Sequence, residues 1–153
     1  MINFKNLRVG DIEIASAMMQ QFYAIDGYPI EVNLAKELFN RFIGDENLGR
    51  AWLIYSDDEP VGYIIITFIF SFEYKGRIAF LDELFISEKA RGKGVGKQAV
   101  DFVLQNAESL SVKLIYLEVE KHNKAAEALY LSKGFIMHNR NIMRYPVPES
   151  SNR

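Results

Sequence analysis

Residues 91–100 are Arg-Gly-Lys-Gly-Val-Gly-Lys-Gln-Ala-Val, in which three glycines between basic residues lead directly into a helical pattern. Glycine has no Cβ, so its amide can approach an anion closely. The first amides of a helix have no intrahelical acceptor and together carry about half a positive charge. The stretch therefore predicts a loop that holds a phosphate or pyrophosphate group at the start of a helix. The alternative is a glycine-rich turn whose basic side chains are only solvated.

Two common phosphate-binding loops do not match this stretch. A P-loop requires Gly-x-x-x-x-Gly-Lys-Ser/Thr, but Arg91 stands five positions before Gly96 and Gln98 follows the lysine. A dinucleotide fingerprint requires a glycine three positions after Gly94, and that position is Lys97. The stretch fits the pattern Arg-x-x-Gly-x-Gly instead.

Length and composition predict one soluble domain, which we place at residues 1–147, with a loose tail at 148–153. The chain has 153 residues, of which 49% are hydrophobic and 25% charged, and its formal net charge is -2. These values are ordinary for a globular protein and do not suggest a nucleic-acid partner. The absence of cysteine excludes disulfides, thiolate metal sites and a cysteine nucleophile. His122 and His138 lack partners at metal-ligand spacing, so no metal site is predicted.

The longest apolar run, at residues 61–72, is too short for the roughly twenty residues of a membrane-spanning helix. Residues 1–11 contain no apolar signal core. We therefore expect a cytoplasmic protein without a membrane partner. As a strand, the same run is longer than one hydrophobic core would cover. It therefore suggests that two copies of the chain form a homodimer through an edge or face of the sheet.

Apolar periodicity predicts a mixed α/β arrangement. Strands are expected at 2–8, 52–55, 61–72, 77–86, 114–119 and 135–145, the last as a closing strand or hairpin. Helices are expected after Asp11 and Asn33 as N-caps, after the glycine loop, and at 125–132. The strand–helix–strand unit between 78 and 119 requires two parallel strands. We expect a mixed, mostly antiparallel sheet with helices on both faces.

A second informative stretch, at residues 117–135, is Leu-Glu-Val-Glu-Lys-His-Asn-Lys-Ala-Ala-Glu-Ala-Leu-Tyr-Leu-Ser-Lys-Gly-Phe. It predicts a strand that ends at Val119, a helix that opens at Asn123, and Gly134 as the helix terminator. Tyr130 follows Asn123 by seven residues, which is almost two helical turns and places both residues on one face.

The glycine loop, the strand before it and this helix together resemble the GNAT superfamily of N-acetyltransferases over residues 78–135. In that family two parallel strands splay apart, and acetyl-CoA lies in the gap as cosubstrate. The resemblance implies that backbone amides of the loop hold the pyrophosphate, that the strand backbone binds the pantetheine arm, and that Asn123 contacts the cofactor. The cofactor-binding residues that it implies are Leu84, Phe85, Ile86, Arg91, Gly92, Lys93, Gly94, Val95, Gly96, Lys97 and Asn123.

The implied reaction is acetyl transfer from the thioester to a primary amine by direct attack, and it requires a base. An alkyl amine has a pKa of about 10.4, so freeing its lone pair at pH 7 costs roughly 4 to 5 kcal/mol. Asp82 and Glu83 lie beside the implied pantetheine strand, and because strand residues alternate faces, only one should point towards the acceptor. We favour Glu83 as the catalytic base. The alternative is that both carboxylates form ordinary ion pairs.

The resemblance gives Tyr130 the role of proton donor to the departing thiolate. A phenol with a pKa of about 10 is protonated at pH 7 and can donate. The alternative is a core tyrosine that packs against Phe135.

For the acceptor, aromatic and acidic residues cluster where the first two helices meet, and carboxylates there suit a cationic substrate. The expected substrate-binding residues are Tyr23, Asp26, Tyr28 and Asp82. Phe22 belongs to the same cluster but is equally explained by core packing, and Glu31 is equally explained by a solvated position on the surface. We expect the acceptor to be a small-molecule amine, and the alternative acceptor is a protein N-terminus or a lysine side chain. The competing functions are a non-enzymatic acyl-CoA-binding module and a nucleotide-binding domain.

Overall fold

A computed structural model describes residues 1–150. Within them, five strands form one sheet in the order β1 (Ile2–Asn6), β2 (Gly49–Ser56), β3 (Glu59–Ser71), β4 (Gly76–Ile86) and β5 (Ile115–Tyr116). The four α-helices of this part of the chain are α1 (Ile12–Ile25), α2 (Val32–Ile43), α3 (Val95–Asn106) and α4 (Lys124–Ser132). None of these helices has the length and apolar character needed to cross a membrane.

The sheet is mixed, as predicted. β1 to β4 pair antiparallel in sequence order, and β4 pairs with β5 in parallel. Side chains alternate between two cores because successive strand residues point to opposite faces. Leu53 and Tyr63 pack beneath α1 and α2, whereas Ile54 and Ile64 pack beneath α3. The helices therefore cover both faces of the sheet, as expected.

The parallel strands β4 and β5 separate soon after they meet. Their pairing consists of Ala79 with Ile115 and Phe80 with Tyr116, whereas β4 continues to Ile86. Beyond Phe80, the edge of β4 on the β5 side therefore has no paired strand, because the chain after β5 diverges from it. This divergence is the splay that the family resemblance implied.

β4 also carries a bulge at Asp82. On β3, Ile65 pairs with Glu83 and the next residue, Ile66, pairs with Leu81, so Asp82 is the extra residue. A bulge interrupts the strict alternation of side chains along a strand. The bulge lies beside the gap between β4 and β5.

The predicted closing strand at 135–145 is wrong, since no strand follows β5 in the described residues. The segment is held by side chains instead: Arg140 Nη1 lies 2.9 Å from Glu73 Oε1, and the His138 ring lies 5.1 Å from that of Tyr116. Ile136 and Met137 are both exposed, so no apolar face drives the segment onto the sheet. Of the predicted tail, residues 151–153 lie outside the described residues.

The N-cap of α2 differs from the prediction. The helix begins at Val32, and the Glu31 carboxylate accepts from the amides of Asn33 (3.1 Å) and Leu34 (2.7 Å). Glu31 therefore caps the helix in place of Asn33, because its extended backbone lets the side chain fold back over the first turn. Asp11 is the N-cap residue of α1, as predicted.

Gly62 on β3 is a position where the fold requires the absence of a side chain. A Cβ there would lie 2.1 Å from the backbone oxygen of Phe85 on β4, and a strand backbone cannot yield as a flexible side chain does. We expect Gly62→Ala to lower the free energy of unfolding by about 3 kcal/mol, as measured by urea denaturation. Gly10→Ala is the matched control, because nothing lies within 4 Å of a Cβ there. Equal stability of the two variants would contradict the close approach of β3 and β4.

Candidate active site

A cavity of about 420 Å³ occupies the gap between β4 and the chain that follows β5. We call it the central cavity. Its walls come from the end of α1, the bulged part of β4, residues 118–120 and one face of α4. The predicted site residues that it brings together are Tyr23, Asp26, Tyr28, Asp82, Glu83, Leu84, Asn123 and Tyr130.

Glu83 is held by two tyrosines. Tyr23 donates from its hydroxyl to Oε2 at 2.6 Å, and Tyr63 donates to Oε1 at 2.7 Å. Burial raises the pKa of Glu83, the two hydrogen bonds oppose that rise, and the charge of Asp82 adds to it. The net direction is upward, so the carboxylate is a stronger base than an ordinary glutamate.

Tyr63 is a site residue that sequence reasoning missed. It lies on β3, opposite Phe85 of β4, and it is fully buried. Burial and the nearby Glu83 carboxylate raise the pKa of both Tyr63 and Tyr23, which keeps both phenols protonated as donors. The only signal in the sequence was a tyrosine inside an apolar strand, and the strand register that directs it to Glu83 is a tertiary feature.

Asp82 and Glu83 both line the central cavity. The strict alternation on which the choice between them was based does not hold here, because the bulge at Asp82 interrupts β4. Neither residue forms an ion pair with a lysine or arginine in residues 1–150. Partial burial and the charge of Glu118 raise the pKa of Asp82.

Tyr130 lies on α4, whose N-cap is Asn123. The Asn123 side-chain oxygen accepts from the amide of Ala126 at 3.1 Å, which confirms the predicted cap. Burial raises the pKa of Tyr130, so its phenol stays protonated at neutral pH. Its ring lies 5.6 Å from that of Phe135. Packing against Phe135 and access to the cavity therefore coexist in the same residue.

The glycine loop leaves the start of α3 open. Gly92 and Gly94 have φ values of +74° and +80°, and Gly94 is the N-cap residue with no side-chain cap. Nothing lies within 4 Å of a Cβ built at either glycine. Arg91 ties the loop to the end of β4, since its Nε donates to the Ile86 oxygen at 2.9 Å. The loop therefore presents unpaired helix amides next to the strand that borders the central cavity.

The remaining residues of the predicted cofactor set surround this helix start. Lys93 and Lys97 are exposed and have no ion-pair partner within residues 1–150. The side chain of Val95 is buried under the sheet, so only its backbone faces outward. A Cβ at Gly96 would meet Leu129 of α4 at 3.3 Å, which makes Gly96 a contact between the two helices. Phe85 is likewise buried, and only its backbone can serve a ligand.

Two side-chain contacts close one side of the central cavity. Tyr28 donates to the Glu120 carboxylate, and His122 Nε2 lies 3.3 Å from Asp26 Oδ1. Glu120 and Glu118 both line the cavity, and neither was singled out from the sequence. The sequence held a signal for both, because two residues that flank Val119 lie on the same face of an extended chain. With Asp26, Asp82 and Glu83, they give the cavity a strongly acidic wall.

Three relatives of known name share parts of this sequence. The chain is 32% identical over 101 residues to the peptidyl-lysine N-acetyltransferase YjaB of Salmonella typhimurium, covering 65% of this chain and 57% of that protein. It is 41% identical over 61 residues to the spermine/spermidine N(1)-acetyltransferase of Bacillus subtilis, covering 39% and 40%. It is 29% identical over 58 residues to the D-amino-acid N-acetyltransferase HPA3 of Saccharomyces cerevisiae, covering 38% and 36%. The matches thus span between about a third and three fifths of these relatives.

Solved structures share the whole fold. An integron cassette protein from the mobile metagenome of Cole Harbour Salt Marsh superposes with a TM-score of 0.86 at 31% identity, covering 96% of this chain and 91% of that one. A protein described as a predicted acetyltransferase with acetyl-CoA, from Clostridium acetobutylicum, superposes with a TM-score of 0.79 at 18% identity, covering 95% and 96%. The family model for the acetyltransferase (GNAT) family matches residues 14–135, which include the glycine loop and α4. The chain therefore belongs to the acetyltransferase (GNAT) family.

Proposed function

We propose that this protein transfers an acetyl group from acetyl-CoA to the primary amine of a small molecule. The observation that carries the proposal is the convergence of Glu83 and Tyr130 on one cavity, at the point where β4 and β5 separate. The named relatives support an amine acceptor, because their names specify D-amino acids, peptidyl-lysine and polyamines. Two of these three acceptor classes are small molecules.

The glycine loop is the proposed pyrophosphate site. The unpaired amides at the start of α3 and the charges of Lys93 and Lys97 are complementary to an anion. The edge of β4 from Leu84 to Ile86 is the proposed partner of the pantetheine arm, since it lacks a paired strand on the β5 side. Asn123 lies across the central cavity from this edge. The acetyl-CoA reported with the Clostridium acetobutylicum protein supports the same cosubstrate here.

In the proposed reaction the ammonium form of the acceptor first loses a proton to Glu83, directly or through a water molecule. The freed nitrogen lone pair attacks the thioester carbonyl carbon, and a carbon–nitrogen bond forms. The carbon–sulfur bond then breaks, and its electron pair leaves with the CoA sulfur, which takes a proton from Tyr130. The nitrogen then passes its remaining extra proton to the Tyr130 phenolate, directly or through a water molecule, and Glu83 releases its proton to solvent. Both residues return to their starting states, and the products are the N-acetylated amine, CoA thiol and one proton.

Replacement of Tyr130 by phenylalanine tests the proton donor. We expect Tyr130→Phe to lower kcat about 10-fold to 100-fold, because the thiolate would leave without general-acid assistance. The dissociation constant for acetyl-CoA should change less than threefold, since the ring and its contact with Phe135 are retained. Turnover is measured as CoA thiol release, and Tyr145→Phe, at an exposed tyrosine, is the matched control. An unchanged kcat would remove Tyr130 from the mechanism.

The same assay tests the function as a whole. Release of CoA thiol that depends on an added small-molecule amine is the expected result. Tight acetyl-CoA binding without release, across small amines and lysine peptides, would favour a non-enzymatic acyl-CoA-binding module. Binding of ATP in preference to CoA would favour a nucleotide-binding domain.

A further inference from the structure

A second cavity also borders the proposed base, Glu83. It has a volume of about 530 Å³ and lies between α2 and the sheet, and we call it the helix-side cavity. Three residues, Tyr23, Asp82 and Glu83, line both this cavity and the central cavity. The proposed base therefore borders both cavities, so that a molecule in the helix-side cavity can place a group against Glu83.

The helix-side cavity is mainly apolar. Ala35 and Phe39 of α2 and Ile65 of β3 contribute buried side chains to its wall. Leu34 and Leu38, one helical turn apart, also line it, yet about half of each side chain is exposed (50% and 53%). Large aliphatic side chains left half exposed along one side of a cavity indicate a surface that an apolar ligand covers. The volume falls within the range of roughly 300 to 1,000 Å³ found for small-molecule sites.

Charge is distributed unevenly along this cavity. The part of its wall that is shared with the central cavity carries Asp82 and Glu83, neither of which has a cationic partner within residues 1–150. Elsewhere in the wall, the Glu31 carboxylate is already engaged by two amides of α2, and Arg41 is cationic. One cationic group is therefore favoured beside Asp82 and Glu83, and Arg41 disfavours a second cation elsewhere in the cavity.

We propose that the acceptor is a monoamine with an extended apolar group, seated in the helix-side cavity with its nitrogen at Glu83. This inference rests on the proposed function and adds the substrate class. The apolar group covers Leu34 and Leu38, and the amine lies between the Asp82 and Glu83 carboxylates. A polyamine of the same length would place its second charge among aliphatic side chains, where desolvation opposes it.

A series of straight-chain amines tests the inference. With acetyl-CoA saturating, kcat/KM is measured from CoA thiol release for propylamine, butylamine, pentylamine and hexylamine, and for spermidine. Each added methylene should raise kcat/KM about threefold to fourfold as it leaves water for the apolar wall. Titration of the free protein with propylamine and hexylamine should show the same order of affinity. Hexylamine should exceed spermidine in both measurements.

Leu38→Gln places a neutral polar group of similar size on the half-exposed side of the cavity and keeps a good helix former. We expect it to reduce the hexylamine-to-propylamine ratio of kcat/KM about fivefold or more. Val9→Gln is the matched control, because Val9 is an exposed aliphatic residue outside both cavities and should leave that ratio unchanged.

The two proposals fail in different ways. Thiol release that is independent of chain length, or fastest with spermidine, would overturn the monoamine inference while leaving the acetyltransferase function in place. An unchanged chain-length ratio in Leu38→Gln would also overturn the inference. The absence of thiol release with every amine, despite acetyl-CoA binding, would overturn both.

Discussion

Replacement of Glu83 by glutamine is expected to lower kcat about 100-fold to 10,000-fold, the range typical for loss of a general base. The glutamine side chain keeps the volume of Glu83 but cannot accept a proton from the acceptor ammonium group. Acetyl-CoA affinity should stay within about twofold, because the glycine loop lies on a different element and the contacts proposed for Leu84 to Ile86 of β4 are made by the backbone, which the substitution keeps. Thiol release and calorimetric binding measure the two quantities separately.

The pH profile provides a sharper test of the same residue. The proposed base must be ionised to accept a proton, so kcat/KM should fall as pH falls through the pKa of Glu83. Burial raises that pKa, and the acidic limb should therefore lie above the pH expected for an ordinary glutamate. In Glu83→Gln the limb should disappear. Glu37→Gln, on the exposed side of α2, should keep both the rate and the limb.

Asp82→Asn separates the two neighbouring carboxylates. If Asp82 only helps to hold the acceptor, its loss should raise KM for the amine and keep an acidic limb. That limb should move to lower pH, because the Asp82 charge no longer raises the pKa of Glu83. An Asp82→Asn variant without the limb, together with an active Glu83→Gln variant, would transfer the role of base from Glu83 to Asp82.

Replacement of Gly94 by aspartate should weaken acetyl-CoA binding about 100-fold. The new carboxylate would stand at the open N-terminus of α3, where the pyrophosphate is proposed to bind, and two like charges would compete for the same amides. Aspartate is a favoured N-cap residue, so the helix itself should persist. Isothermal titration measures the dissociation constant, and thermal unfolding checks the fold.

Two controls separate charge from backbone strain. Gly94→Asn has nearly the same shape without the charge, and asparagine tolerates the left-handed conformation that φ +80° requires. It should weaken binding by about 10-fold or less. Gly134→Asp places the same side chain at φ +95°, beyond the C-terminus of α4, and should not affect binding. Normal affinity in Gly94→Asp would contradict the assignment of the loop.

Features built from consecutive residues could be predicted from the sequence. The start of α3 after Gly94 and the N-cap at Asn123 follow from local backbone preferences, which act within a few residues. The parallel pair followed from the strand–helix–strand order. The prediction that failed at this level was short-range too: Asn33 was expected to cap α2, but the extended backbone at Glu31 lets the Glu31 carboxylate cap the first turn instead.

The closing strand predicted at 135–145 shows a limit of apolar periodicity as a predictor of strands. Residues 135–145 contain enough apolar side chains for a strand, yet in the structure they make contacts through Arg140 and His138. A strand needs a partner with a free edge in register, and β5 supplies only two paired residues. The presence of such a partner is a property of the whole sheet.

By itself, the sequence determined the family, the mixed sheet, the glycine loop before α3 and the helix that carries Tyr130, because glycine conformations, helix caps and apolar periodicity are local consequences of residue type. The tertiary structure alone decided that Tyr63 holds Glu83, that a bulge brings Asp82 to the same cavity walls, and that an apolar cavity borders this pair. Each of these depends on strand register and helix packing between residues far apart in the chain, and one residue of register would turn every side chain to the opposite face.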